Sequence, residues 1–211
     1  MGKASRLRRE RAIAIEAAFA PGTVQMLHAA AQAVGDVYGA HADCAAAAAL
    51  LRLTADHLGF DLTPRAVSVY AHQASTNTFA FMGPKATAMI PEDKREGVEN
   101  HFWEGKDTGH MILTSEEPRM LFDPNLRQLA GYGMEAPSLT LNTKSTDPED
   151  GGWTAKLPDL DLIYMLDGNT ALWAWYEESL VSHAEDARAL AGMIRVCQSS
   201  AQIRSRIHRI P

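Results

Sequence analysis

Cysteine is nearly missing from this chain: Cys44 and Cys197 are the only two among 211 residues. They can form at most one disulfide, which excludes a disulfide scaffold, and neither belongs to a Cys-x-x-Cys pair of the zinc-binding kind. Both are read as reduced thiols. Long apolar runs are missing too. No stretch reaches the roughly 18 to 20 residues of a membrane helix, and the basic start, Met1 to Glu10, leads into no signal-type hydrophobic region. No membrane partner is expected, and the expected location is cytoplasmic. Positive charge is in deficit, with 20 Lys and Arg against 26 Asp and Glu, a formal charge of −6. The surface as a whole is therefore no nucleic-acid footprint, and no nucleic-acid partner is expected. Polar linkers and internal repeats are absent as well.

What is present suits a packed fold. Hydrophobic residues make up 46% of the chain and charged residues 22%, enough apolar surface for a sizeable core. A single domain over residues 1–211 is expected. Within it, residues 1–38 form a helical hairpin, 40–180 a core, and 181–211 a C-terminal helix. Two basic stretches run against the net charge: Lys3, Arg6, Arg8, Arg9 and Arg11, then Arg204, Arg206 and Arg209. They are either solvated helix faces or contacts for an anionic partner. No signal fixes the oligomeric state.

Along the chain the pattern predicts an α+β fold. Ser5 to Phe19 reads as a helix that Pro21-Gly22 stops, and Thr23 to Val37 reads as a second, with Val24, Leu27, Ala31 and Val34 on one stripe. A third helix is predicted from Asp43, as N-cap, to Leu58, with Gly59 as its stop. Its alanines, Ala45 to Ala49, invite close approach by other elements. From Pro64 short strands follow: Ala66–Ala71, Gly109–Thr114 and Arg119–Phe122, the last two joined by the turn Ser115-Glu116-Glu117-Pro118. Residues 131–157 read as a long loop holding a strand at Ser138–Asn142. Leu160–Leu166 and Thr170–Glu177 flank Asp167-Gly168-Asn169, a hairpin signal. A last helix runs from Ser182 to Arg209 with a break expected near Gln198-Ser199-Ser200.

Three residues could carry chemistry. A thiol is a nucleophile only as thiolate, and a helix N-terminus favours negative charge. Cys44 is predicted to open its helix, although a small buried thiol in an alanine-rich segment is the plainer alternative. A catalytic cysteine also needs a base, and the base a partner that fixes its tautomer. His110 in the strand Gly109-His110-Met111-Ile112-Leu113 and Asp123 at the end of Met120-Leu121-Phe122-Asp123 are 13 positions apart, a distance that two strands and a turn fold back on themselves. Singly, such a histidine is more often structural and such an aspartate a turn former. Their order with Cys44 is the signal.

The other candidates are weaker. His101 and His72 compete with His110, but only His110 has a carboxylate on an adjoining strand. His28, His41 and His57 make no metal-ligand spacing with Cys44, so no metal and no cofactor are expected. Cys197 reads as structural. Gln73 or Asn77 could donate to an oxyanion, or simply be loop polarity; the Cys44 backbone N–H is the better donor. Trp153, Trp173, Trp175 and Tyr176 would line a cleft or, with Trp173 and Trp175 alternating along a strand, pack on one face.

The segment His41-Ala-Asp-Cys-Ala-Ala-Ala-Ala-Ala-Leu-Leu-Arg-Leu-Thr-Ala-Asp-His-Leu-Gly-Phe60 resembles the nucleophile helix of transglutaminase-like proteins. Pro64 to Val69 is similar to the strand that leaves that helix. Gly109-His110-Met111-Ile112-Leu113 and Leu121-Phe122-Asp123-Pro124-Asn125 are similar to the family's histidine and aspartate strands. The resemblance covers residues 40–129. It implies a papain-like/transglutaminase-like fold, a Cys44, His110, Asp123 triad and acyl-transfer or amide-bond chemistry on a peptide, protein or small acyl or amide substrate. Hydrolysis is the expected outcome, with an amine acyltransferase or a diverged protein-binding module as alternatives. The departures are definite. Asp43 precedes the cysteine where the family has an aromatic residue, and Met111-Ile112 follow the histidine where Ala-Trp is common. The Arg-Gly-Gly-x-Cys of arylamine N-acetyltransferases and the Cys-Gly-Ser-Cys-Trp of papain are absent, which leaves the substrate class open.

Overall fold

The computed structural model describes residues 21–39, 41, 43–92, 109–143, 148, 151–168 and 170–196. The expected helix Ser5–Phe19, both basic stretches, His101 and Cys197 lie outside them. The fold is α+β, and all its strand pairs are antiparallel.

Helix α1 spans Pro21–Tyr38 and α2 spans Cys44–Leu58. This helix takes in Pro21 and Gly22, two residues before the expected Thr23, and proline suits a first helical turn, where its missing N–H is not needed. In α2, Asp43 occupies the N-cap position without a side-chain cap bond, whereas Gly59, at φ 91°, ends the helix as expected. There the Gly59 and Phe60 N–H groups bond back to Asp56 O and Ala55 O. Ala45 to Ala49 are all buried. That small-residue surface lets α2 sit in the middle of the helical layer, touching α1 and the two C-terminal helices.

Strand β1 (Thr63–Gln73) is the spine of the sheet. After it come β2 (Thr78–Met82), the short helix α3 (Pro84–Ala88), β3 (His110–Glu116) and β4 (Arg119–Asp123). A 3-10 helix, Leu126–Tyr132, precedes β5 (Leu139–Asn142), β6 (Gly152–Lys156) and β7 (Leu160–Leu166). The order across the sheet is β5-β4-β3-β1-β7-β6, and β2 shares one edge of β1 with β3. Thr63 to Val67 pair with β3 and Val69 to Gln73 with β2. Two glycines permit this end-to-end meeting. A Cβ on Gly83 would lie 3.0 Å from Gly109 Cα, and one on Gly109 2.9 Å from Val67 O, while both residues hold positive φ, 84° and 96°.

Alternation along the strands sorts their residues onto two faces. Ala66, Met111, Leu113, Met120 and Phe122 face the helices. Val67, Val69, Ile112, Leu121, Leu162 and Tyr164 form a second core, closed by Leu126, Leu129 and Met134.

The C-terminal part corrects two expectations. Thr170–Ser182 is a helix, α4, not the second strand of a hairpin. The reason is pairing: β7 already has β1 on one edge and β6 on the other, so no ladder is left for it. Leu172 and Tyr176, one helical turn apart, are buried against the helical core instead. The strand β6, with β2, was not expected; its turn to β7 is Leu157-Pro158-Asp159. His183 separates α4 from α5 (Ala184–Val196), and the break expected near Gln198 lies outside the described residues.

Candidate functional site

The β3–β4 hairpin brings two predicted residues together at one end of the sheet. By strand alternation His110 shares the face of Ile112, and Asp123 that of Leu121, both in the second core. His110 Nε2 lies 2.9 Å from Asp123 Oδ1, and both side chains have no solvent exposure. A buried carboxylate is costly unless its oxygens are bonded. Asp123 also accepts from the Asn125 backbone N–H at 3.2 Å on Oδ1 and from the Tyr164 hydroxyl at 2.9 Å on Oδ2. Burial, and then Asp123, raise the Tyr164 pKa well above the ordinary tyrosine value, so the hydroxyl stays a donor.

The other ring nitrogen is also engaged. Gln128, on the 3-10 helix, places its Nε2 in hydrogen-bond contact with His110 Nδ1. The same Nε2 is 3.2 Å from Met82 Sδ, the last residue of β2. Burial disfavours a charged imidazole, but Asp123, first by charge and then by hydrogen bond, outweighs it. Cys44 adds in the same direction through a hydrogen bond and charge, and together they push the His110 pKa up to about 10.

Cys44 is the first residue of α2, is only 6% exposed and has no disulfide partner. Its charge and hydrogen bonding act on His110 in the same direction as Asp123, and this is the link between the helix start and the His110–Asp123 pair. Helix α1 braces the corner after Asp123. The space that a Cβ on Gly35 would need is filled by Ser138 Oγ and Pro124 O. Gln32 donates to Ser138 O at 2.8 Å, and Arg127 pairs with Asp36 at 2.8 Å. At that corner Asn125 is fully buried with both side-chain polar atoms unpaired, a cost of roughly 1 to 3 kcal/mol.

The remaining candidates fall elsewhere. His72 lies five positions along β1 from the residue opposite His110, roughly 16 Å away. Its ring stacks on Phe79 at 4.4 Å, and its Nε2 is 3.3 Å from Asn77 Oδ1. Gln73 donates to Asp159 Oδ2 at 3.0 Å. Gln73 and Asn77 thus serve the β1–β2 turn, far from any oxyanion at Cys44. His28, His41 and His57 are exposed, and no metal-holding group of three or more His, Cys, Asp or Glu is found among the described residues. The aromatic residues do not share a cleft. Trp153 belongs to the second core, whereas Trp173 packs with the helical one, edge-on to Tyr176 at 5.8 Å. Trp173 and Trp175 are not alternating strand residues, and Trp175 is half exposed.

Tyr164 and Gln128 are the site residues that sequence reading missed. Tyr164 sits in a period-two buried stripe with Leu160 and Leu162, and a buried tyrosine hydroxyl calls for a partner. Gln128 is a polar side chain between the buried Leu126 and Leu129. Either could have been flagged, though not assigned to His110 and Asp123.

Comparisons with protein-family models, curated proteins and solved structures find no match to this chain.

Proposed function

We propose that this chain is a thiol acyl-transfer enzyme of the papain-like/transglutaminase-like kind, hydrolysing an amide, peptide or isopeptide bond. The observation that supports it is a buried imidazole held by Asp123, with a helix-start thiol, Cys44, acting on the same ring. In this proposal His110 Nδ1 takes the Cys44 proton and the sulfur attacks the carbonyl carbon. The imidazolium then protonates the leaving amine as the C–N bond breaks, leaving a thioester. Water, deprotonated by His110, forms the new C–O bond, the C–S bond breaks, and the thiol regains its proton. An amine in place of water would make the same site an acyltransferase. Asp123 orients the ring and Tyr164 holds Asp123. The N–H groups of the first turn of α2, that of Cys44 among them, would donate to the oxyanion.

A second proposal, a catalytically diverged protein-binding module, is favoured by the burial of the site: the thiol is 6% exposed and the imidazole not at all. The pH dependence of Cys44 alkylation by iodoacetamide separates the two. Fast labelling well below the ordinary thiol pKa of roughly 8.5, lost in His110→Gln, supports the enzyme and justifies a screen of amides and esters with Cys44→Ala as control. Slow labelling that ignores His110 overturns it in favour of the module.

A further inference from the structure

We infer that Gln128 is a positioning residue: it holds His110 Nδ1 as a neutral acceptor and must release it before Cys44 can pass its proton to the ring. The inference rests on the acyl-transfer proposal and names the residue that sets its acid–base balance.

The orientation of the amide follows from chemistry. A thioether sulfur has no hydrogen to give, so the amide atom turned toward Met82 Sδ is a donor, Nε2. That same atom faces His110 Nδ1, which must therefore be the unprotonated nitrogen. A neutral ring then carries its hydrogen on Nε2, the nitrogen 2.9 Å from Asp123 Oδ1. Both ring nitrogens are thus assigned by their neighbours, and the tautomer is the one a base needs. The Nδ1 lone pair that should receive the thiol proton is, however, already accepting from Gln128.

Asp123 and Cys44 both favour a charged ring. The Gln128 N–H opposes them, because a proton on Nδ1 would face a donor. Protonation requires the amide to turn its oxygen inward, which breaks the bond to Met82. The two contacts of Nε2, to Met82 and to His110, therefore make or break together. Gln128 is fixed by the buried Leu126 and Leu129 on either side of it, with only 7% of its own surface exposed. Rotation of the amide is the available motion.

The test uses the full chain, isotopically labelled, with two readouts. Long-range proton–nitrogen NMR of the His110 ring, followed past its raised pKa of about 10, should show that the wild-type ring loses the proton on Nδ1 and keeps the one on Nε2. In Gln128→Met, which keeps the volume and removes the donor, Nδ1 should gain its proton at higher pH. The onset of Cys44 alkylation should fall by about one pH unit, a tenfold gain in labelling at fixed pH below the onset. Met82→Leu, which frees the amide to turn, should give a smaller shift of the same sign. A wild-type ring that loses its Nε2 proton and keeps the one on Nδ1, or a ring and a labelling onset unmoved in both variants, would overturn the role of Gln128 while leaving the His110 dependence intact. Labelling that never depends on His110 would instead sink the acyl-transfer proposal, and the NMR shifts would then decide Gln128 alone.

Discussion

His72 and His110 are neighbours of the same central strand, one within β1 and the other paired to it, yet they live in different chemistry. His72 is half-exposed, stacked on Phe79 and within reach of one amide oxygen. His110 is sealed, and each nitrogen faces a chosen group, the Asp123 carboxylate and the Gln128 amide. The sequence sets His72 at the end of one apolar strand and His110 within another, and favours His110 only for the carboxylate expected on the adjoining strand. What separates them is the partner strand: β2 brings Phe79 to His72, whereas β4 brings Asp123 to His110. A histidine becomes a candidate base through the elements folded onto it.

The sharpest way to break this comparison is to remove each ring. On an established substrate, His110→Ala and Cys44→Ala should each lower kcat/KM by at least about a thousandfold, as expected for members of one catalytic unit. His72→Ala should leave it within about twofold, its stability moving by no more than about 0.5 kcal/mol. Equal losses for both histidines would refute the assignment.

Next in size is the buried ion pair. Asp123→Ala leaves a sealed imidazole without its counter-charge and should cost about 3 to 5 kcal/mol in urea unfolding, the range for breaking a buried pair. Tyr164→Phe removes one hydrogen bond to the carboxylate and should cost about 1.5 to 3 kcal/mol. It should also loosen the ring through Asp123, so kcat should fall more than KM rises. A Tyr164→Phe variant as stable as the wild type would mean that the hydroxyl does not hold the carboxylate.

Much of this was legible beforehand, and the pattern of what was not is physical. The helix start at Cys44 and the pairing of His110 with Asp123 were readable because the cues are local: a cap position, a stop glycine at 59, and a hairpin closing over 13 residues. The hairpin turn proved tighter than expected, since the strands run on to Glu116 and from Arg119. Tyr164 and Gln128 were missed because their partners are set by tertiary register, 41 and 18 positions away. Helix α4 was misread because Asp167-Gly168 does look like a hairpin turn. Only the sheet as a whole reveals that β6 has already taken the free edge of β7. The α+β class was readable from patterning, whereas strand order was not.

The last prediction concerns pH. Folding raises the His110 pKa from about 6.5 to about 10 through Asp123 and Cys44. A pKa raised in the folded state means the folded protein binds the proton more tightly than the unfolded chain does. The resulting stabilisation is complete below about pH 6.5 and is lost as pH climbs toward about 10. Urea midpoints measured across that window should therefore fall with rising pH in the wild type. In His110→Gln the slope should flatten, since the titrating ring is gone. In His72→Ala it should stay, because the ring that carries the shift is that of His110. Gln128 refines the expectation, for its N–H on Nδ1 resists the proton that Asp123 and Cys44 attract. Gln128→Met should therefore show a steeper fall than the wild type over the same window. Parallel curves for the two would mean that the amide exerts no pull on the ring.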